Sequence, residues 1–200
     1  MIKTIIFDIG NVLVTFAWYE HHRALGYDDE TIEKIRKATL LTPAWSEYDL
    51  GILSDDEVVD LFVKNDPSIE KELRESHTDF SDLVTKLDYA IPWICDLKKK
   101  GYQVLYLSNF PQKALDECGP ALDFVPYTDG GIFSCHVKLI KPDARIYEAL
   151  LAKYNLIPSE CVFIDDTQVN IDSAKNLGIH GIVFRSYKQA CEELAALGVK

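Results

Sequence analysis

The sequence predicts an α/β fold, a doubly wound parallel sheet with a small helical cap inserted after the first strand. Short apolar segments rich in β-branched and aromatic residues recur along the chain, and helical patterns of about ten residues separate them. This alternation is typical of a parallel sheet that helices cover on both faces. The cap is predicted because residues 16–86 carry helical patterns but no strand-like alternation.

The first predicted strand, residues 4–7, is a short apolar run that ends at Asp8. Similar runs predict strands at residues 103–107, 161–164 and 181–184. Helical patterns between these strands predict core helices at residues 92–100, 111–118, 143–154 and 168–177. The first of these helices has a clear stop signal, because three lysines stand at its negative dipole end and Gly101 follows them.

The predicted cap contains three helical patterns, at residues 29–39, 55–64 and 68–77. Ser54 and Glu57 have the spacing of a capping box directly before an apolar run, which indicates a helix start. We therefore predict a helical cap over residues 16–86 and an α/β core formed by residues 1–15 and 87–200.

Composition excludes several classes of function. The 200 residues include 21 basic and 32 acidic side chains, and the net charge of −11 disfavours nucleic acid and anionic membranes as partners. The five cysteines are scattered without a C-x-x-C pair, so we expect reduced thiols rather than a disulfide framework or a zinc site. No apolar segment approaches the roughly 20 residues of a membrane helix. We expect a cytoplasmic protein, either a monomer or a homodimer.

Polar residues stand where the predicted strands end. Asp8 follows the first strand, Ser108-Asn109 follows the second, Asp165-Asp166 follows the third, and Lys141 precedes a proline and a helix. Because ligands of an open parallel sheet bind at the carboxyl ends of its strands, these groups are expected to converge. Carboxylates so placed repel one another unless a cation lies between them, and hard oxygen ligands suit Mg²⁺. With the metal and the lysine, such a site suits a phosphate.

Each residue alone has a simpler explanation. An aspartate after a strand is more often a turn or helix cap, and so is a Ser-Asn pair. A single lysine such as Lys141 is more often a solvated surface residue. The prediction therefore depends on all four groups occurring in order, each at a strand end or just before a helix.

These segments resemble, in order, the four motifs of the haloacid dehalogenase (HAD) superfamily of phosphatases, and the similarity runs over nearly the whole chain. The segments are residues 5–13 (Ile-Ile-Phe-Asp-Ile-Gly-Asn-Val-Leu), Leu107-Ser108-Asn109, Lys141-Pro142, and Phe163-Ile164-Asp165-Asp166 with Asn170. The predicted cap stands where this superfamily has its C1-type cap. Residues 8–12 and the cap segment 45–54 look most similar to bacterial α-D-glucose-1-phosphate phosphatases and the phosphatase domain of soluble epoxide hydrolases.

The resemblance implies a Mg²⁺-dependent hydrolase of small phosphate esters, such as a hexose 1-phosphate. Asp8 would attack phosphorus to form an aspartyl-phosphate that water then hydrolyses. The implied metal ligands are the Asp8 carboxylate, the Gly10 carbonyl and the Asp166 carboxylate, with Asp165 and Asn170 orienting them. The implied phosphate-binding groups are Ser108, Asn109, Asn11 and Lys141, of which Lys141 also neutralises the nucleophile.

Gly10 departs from the superfamily pattern, because most of these phosphatases carry a second Asp there as general acid and base. Losing such a group costs about 10²–10⁴ in rate. A sugar 1-phosphate tolerates the loss better, because its anomeric oxygen is a better leaving group than a simple alkoxide. Glu20, His21 and His22 are candidates for a substitute group, and they are equally well explained as polar residues of an exposed cap helix.

The cap aromatics have two interpretations. Trp18, Tyr19, Trp45 and Tyr48 either line a sugar-binding site or form the hydrophobic core of the cap itself.

Two other functions stay open. A 2-haloacid dehalogenase would use the same Asp8 nucleophile without a metal, although the paired acids Asp165-Asp166 would repel its carboxylate substrate. A non-catalytic phosphate-binding or regulatory protein would keep the pocket and lack turnover because of Gly10.

Overall fold

The computed structural model describes all 200 residues, and a parallel sheet forms its centre. The strands are β1 (Thr4–Phe7), β2 (Val14–Phe16), β3 (Val84–Lys86), β4 (Gln103–Ser108), β5 (Gly131–Phe133), β6 (Cys161–Asp165) and β7 (His180–Val183). Five of them pair in the order β5-β4-β1-β6-β7, with β1 in the middle. The chain passes to opposite sides of β1 when it forms β4 and β6, which makes the carboxyl end of β1 the switch point where ligands bind.

The chain forms eleven α-helices. They are α1 (Trp18–Ala24), α2 (Asp29–Ala38), α3 (Pro43–Leu50), α4 (Asp55–Asn65), α5 (Glu70–Ser76), α6 (Ala90–Lys99), α7 (Gln112–Glu117), α8 (Ser134–Val137), α9 (Ala144–Tyr154), α10 (Gln168–Asn176) and α11 (Tyr187–Ala196). No helix combines the length and the apolar character that crossing a membrane requires.

Successive side chains of a strand point to opposite faces of the sheet, and on both faces they are buried in hydrophobic clusters. Ile5 and Phe7 of β1 belong to the larger hydrophobic cluster, where Phe7 packs against Trp93 of α6. Ile6 of β1 belongs to the second cluster, together with Ile146 of α9. The prediction of a doubly wound α/β sheet is confirmed.

One sequence prediction about the cap segment is wrong. Residues 16–86 do contain a strand, since β3 pairs antiparallel with β2 in the register Val14↔Lys86 and Phe16↔Val84. Strands of three residues carry too little periodicity to be recognised, and these two lie about 70 positions apart in the chain. The sequence prediction likewise lacks the strand β5 and the helices α1, α3, α8 and α11.

The cap helix α4 begins where its sequence signal indicates. Ser54 caps α4 as expected, because the Glu57 N–H donates to its Oγ at 3.3 Å and the Ser54 N–H donates back to Glu57 Oε2 at 2.8 Å. The β2–β3 ribbon stands at the two ends of the cap segment. The division of the chain at residues 16 and 86 remains a prediction.

The end of α3 is docked against the core. Ser134 Oγ, at the start of α8, donates a hydrogen bond to the Asp49 carbonyl at 2.6 Å, and the Lys138 ammonium donates to the Gly51 carbonyl. Gly51 ends α3 in the left-handed conformation (φ 61°), and a Cβ there would lie 2.9 Å from the Cβ of Cys135. A glycine is therefore needed for this close approach, which holds residues 49–51 against α8.

The packing of β5 on β4 requires a glycine at position 131, because a Cβ there would overlap the carbonyl oxygen and ring of Tyr106. We expect Gly131→Ala to lower the free energy of unfolding by about 1–3 kcal/mol in urea denaturation. Gly10→Ala is the control, because nothing lies within 4 Å of the position of its Cβ. This variant should change the stability by less than about 1 kcal/mol. Equal losses in the two variants would contradict this packing argument.

Candidate active site

Asp8 stands at the end of β1, and one of its carboxylate oxygens accepts every bond that the side chain makes. Oδ1 accepts from the Ile9 N–H at 2.7 Å, from Ser108 Oγ at 2.8 Å and from Lys141 Nζ at 2.8 Å. Oδ2 accepts no hydrogen bond. The carboxylate is thus held rigidly by one oxygen while the other stays available to a ligand.

Lys141 links two buried carboxylates. Its Nζ lies 2.8 Å from Asp8 Oδ1 and 2.7 Å from Asp165 Oδ2, and the lysine is only 4% exposed. Burial alone would lower the pKa of Lys141, but the charges of Asp8 and Asp165 raise it above its usual value. Burial raises the pKa of Asp8 to about 7, although the ammonium of Lys141 opposes this shift. The ammonium of Lys141 therefore forms ion pairs with two carboxylates, those of Asp8 and Asp165.

Asn109 and Asn170 position these charged groups. The Asn109 side chain donates to the Lys141 carbonyl at 3.0 Å and accepts from the Lys141 N–H at 2.8 Å. Asn170 Nδ2 lies 3.1 Å from both oxygens of Asp165, which also accepts from the Thr167 N–H. Asn109 is a predicted phosphate-binding residue, and its side chain is engaged with the backbone of Lys141.

Asp8, Asp165 and Asp166 form a cluster whose carboxylate oxygens lie within 4.8 Å of one another. Asn11 takes a left-handed conformation (φ 54°), which asparagine tolerates, and its Nδ2 donates to Asp166 Oδ2 at 3.0 Å. Lys141 supplies the only ammonium paired with these three carboxylates. The cluster thus carries an excess of negative charge on hard oxygen donors, and this donor set fits Mg²⁺.

A cavity of about 290 Å³ opens over this cluster. Eight of the nine predicted site residues line it: Asp8, Gly10, Asn11, Ser108, Asn109, Lys141, Asp166 and Asn170. Asp165 lies behind them and is fully buried. Residues of the cap segment also line the cavity, including Phe16, Trp45, Asp49 and Leu83. The structure thus brings the predicted residues together beneath the cap.

The predicted cap aromatics divide between the two interpretations. Trp45 lines the cavity, whereas Trp18 and Tyr48 are buried in the hydrophobic core at 4% and 2% exposure. Tyr19 is 41% exposed and does not line the cavity.

The three proposed substitutes for an acid at position 10 do not line the cavity either. Glu20 and His21 line a separate surface depression. His22 is buried, and burial lowers its pKa to about 4, so it is neutral at physiological pH. None of them faces the free oxygen of Asp8 across the cavity.

Asp49 is the residue that sequence reasoning missed. It stands in the last turn of α3, is 7% exposed and lines the cavity, and its carboxylate makes no hydrogen bond or ion pair. Burial raises its pKa to about 7, with Lys141 opposing and Asp8 reinforcing the shift. Its neighbours Trp45, Tyr48 and Gly51 stood out in the sequence, but no local pattern distinguished Asp49 from a surface aspartate.

The family model for haloacid dehalogenase-like hydrolases matches residues 2–178. The chain belongs to this family. The resemblance to the HAD superfamily is therefore confirmed. By its family, the chain is a hydrolase.

Three HAD-like proteins illustrate the similarity. A phosphorylated carbohydrates phosphatase of Thermotoga maritima is 31% identical over 86 residues, which cover 43% of this chain and 40% of that protein. A HAD family enzyme of Bacteroides thetaiotaomicron, solved with magnesium and inorganic phosphate, has a TM-score of 0.72 and 19% identity, covering 95% of this chain and 99% of that one. The L-2-haloacid dehalogenase of Xanthobacter autotrophicus has a TM-score of 0.68 and 16% identity, covering 100% and 85%.

At 19% and 16% identity, the two solved structures are evidence for the fold of this chain alone. The chain also spans between 10% and 40% of the length of four curated relatives. The activities that their names state therefore describe those proteins alone.

The Lys141 pairing predicts a large loss of stability for Lys141→Met, because two buried carboxylates would lose their cation. We expect the free energy of unfolding to fall by about 3–5 kcal/mol in metal-free buffer. Lys3→Met is the control, since Lys3 pairs with Glu160 at the surface and its side chain is 65% exposed. That variant should lose less than about 1 kcal/mol. Losses of the same size would show that the buried pairing is not special.

The buried Asp49 predicts a pH-dependent stability. Because its folded-state pKa is raised, the folded protein binds more protons than the unfolded chain between its usual value of 3.8 and about 7. The wild type therefore loses stability as pH rises through this window, and Asp49→Asn removes that loss. We expect the variant to gain about 1–4 kcal/mol relative to the wild type between about pH 4 and pH 8 in urea denaturation.

Glu47→Gln, on the same helix but outside the cavity, makes the same chemical change. Its stability relative to the wild type should stay flat over this pH range. A flat difference for Asp49→Asn as well would refute the raised pKa.

Proposed function

We propose that the protein is a Mg²⁺-dependent phosphomonoesterase that acts on small phosphorylated metabolites, such as a hexose 1-phosphate, through an aspartyl-phosphate on Asp8. The observation that carries this proposal is the state of the Asp8 carboxylate. Three donors hold Oδ1, while Oδ2 is free at the floor of the cavity and stands beside a cationic lysine. An oriented carboxylate of this kind is suited to attack phosphorus.

Mg²⁺ would be held by the carboxylates of Asp8 and Asp166 and by the carbonyl of Gly10. When bound, it supplies positive charge that offsets the phosphate and carboxylate charges. The cluster of three carboxylates, with its excess of negative charge, supports this assignment. Asn11 orients Asp166 through its bond to Oδ2.

The chain's own residues then position the phosphoryl group. The Ser108 hydroxyl and the Lys141 ammonium both contact Asp8 and would bind the non-bridging oxygens of a phosphate placed against it. Asn109 fixes the backbone of Lys141, and Asp165 with Asn170 fixes its ammonium. Phosphoryl transfer depends mainly on such positioning and charge stabilisation.

The size and lining of the cavity support a small, partly apolar leaving group. Its volume of about 290 Å³ is at the lower end of ligand pockets, and Phe16, Trp45 and Phe110 line it together with the charged residues. Aromatic faces of this kind pack well against sugar rings. The Thermotoga maritima relative, by name a phosphatase of phosphorylated carbohydrates, points to the same substrate class.

The proposal is tested by phosphate release from a panel of sugar phosphates, with and without Mg²⁺. We expect metal-dependent release by the wild type, and a decrease of about 10³-fold or more in kcat for Asp8→Asn, because the nucleophile is lost. Asp143→Asn is the matched control, since Asp143 pairs with Arg145 outside the cavity, and it should keep wild-type rates.

Other outcomes would point elsewhere. Metal-independent halide release from a 2-haloacid would identify a dehalogenase, and phosphate binding without release would identify a binding protein. Either result would overturn the phosphatase proposal.

A further inference from the structure

The cavity leaves one acidic group without a role. The ionisable side chains that line it are Asp8, Asp49, Lys141 and Asp166. The proposed function uses three of them, as nucleophile, phosphate-binding cation and metal ligand. Asp49 remains, and it belongs to α3 of the cap segment, whereas the other three belong to the core.

Position 10 itself cannot supply a proton. Gly10 lines the cavity without a side chain, and nothing lies within 4 Å of the position of its Cβ. Its backbone φ is not left-handed, so no conformational demand explains the glycine. An open space thus stands where a side chain could reach the leaving group.

We propose that Asp49 is the general acid and base of this enzyme, protonating the leaving oxygen from the cap side and later activating the hydrolytic water. This inference rests on the phosphatase function proposed above. It assigns to the cap a chemical step in addition to substrate selection.

The surroundings of Asp49 suit this role. The residue is only 7% exposed, and its carboxylate lines the cavity without a hydrogen-bond partner in the protein, so it is available to a ligand there. Its backbone carbonyl is fixed to Ser134, and Gly51 is packed on Cys135 and bonded to Lys138. The side chain is therefore presented to the cavity by a docked segment. Burial raises its pKa to about 7, so protonated and ionised forms are both populated near neutral pH.

The chemistry balances in two steps. In the first, an oxygen of Asp8 forms a bond to phosphorus, the bond from phosphorus to the ester oxygen breaks with its electron pair on that oxygen, and the Asp49 carboxyl gives its proton to it. The alcohol leaves. In the second step, the Asp49 carboxylate takes a proton from water as the water oxygen bonds to phosphorus. The bond from phosphorus to Asp8 breaks, which releases phosphate and restores both carboxyl groups.

The test compares two esters whose leaving groups differ in their need for a proton. A hexose 6-phosphate leaves as a basic alkoxide, whereas nitrophenyl phosphate leaves as a stable phenolate. We expect Asp49→Asn to lower kcat/KM for the hexose ester by about 10²–10⁴-fold. The loss for the nitrophenyl ester should be about tenfold or less, because kcat/KM reports only the steps up to leaving-group departure and the phenolate needs little protonation.

A second measurement distinguishes a catalytic role of Asp49 from a structural one. With nitrophenyl phosphate, Asp49→Asn should release a rapid burst of nitrophenol equal to the enzyme concentration and then turn over slowly. The aspartyl-phosphate should accumulate, visible as one added phosphoryl group in the mass of the intact protein. A merely structural role for Asp49 would slow formation of this intermediate and would not trap it.

Glu47→Gln is the matched control, and it should behave like the wild type on both esters because Glu47 does not line the cavity. Equal losses on the two esters, or no loss on the hexose ester, would overturn the assignment of Asp49 while leaving the phosphatase function intact. A wild-type protein that releases phosphate from neither ester, nor from any sugar phosphate of the panel, would overturn the phosphatase function and this inference together.

Discussion

The ammonium of Lys141, buried between Asp8 and Asp165, is the interaction on which the active-site edge depends. It joins the ends of β1 and β6, at 2.8 Å and 2.7 Å, to the segment that precedes α9. Asn109, just after β4, holds the backbone of the same lysine. Buried charges are costly unless they are paired and hydrogen-bonded, so misplacing these residues would destabilise the fold. Stability and the geometry around Asp8 thus come from the same contacts.

The pairing does not neutralise the site, and this imbalance shapes its chemistry. Three clustered carboxylates face one ammonium, so a divalent cation fits better than an anionic ligand alone. Under the proposed function a phosphate ester would bind here with Mg²⁺, whereas a haloacid without a metal would meet uncompensated negative charge. This is the physical reason for preferring phosphate chemistry in a family whose name refers to dehalogenation.

The cap segment contributes side chains to the lining of the cavity. α3 docks on α8 through Ser134 and Gly51, and its residues Trp45 and Asp49 line the same cavity as Asp8. In the proposed function, the core would provide the charges that a phosphoryl group requires, and the cap would provide a surface for the leaving group. A glycine at position 10 is compatible with this division, since the acid missing from the core has a candidate in the cap.

The sequence by itself determined the parallel sheet and the polar residues at its strand ends. Short apolar strands are recognisable locally, and parallel strands bring their carboxyl ends to one edge, so Asp8, Ser108 and Asp165 were predictable neighbours. Only the tertiary structure decided the β2–β3 ribbon, the use of Asn109 as an anchor for Lys141, and the position of Asp49. The bond that fixes Asp49 joins residues 85 positions apart. Local periodicity describes which face of an element is buried, but it holds no information about which distant surface that face will meet.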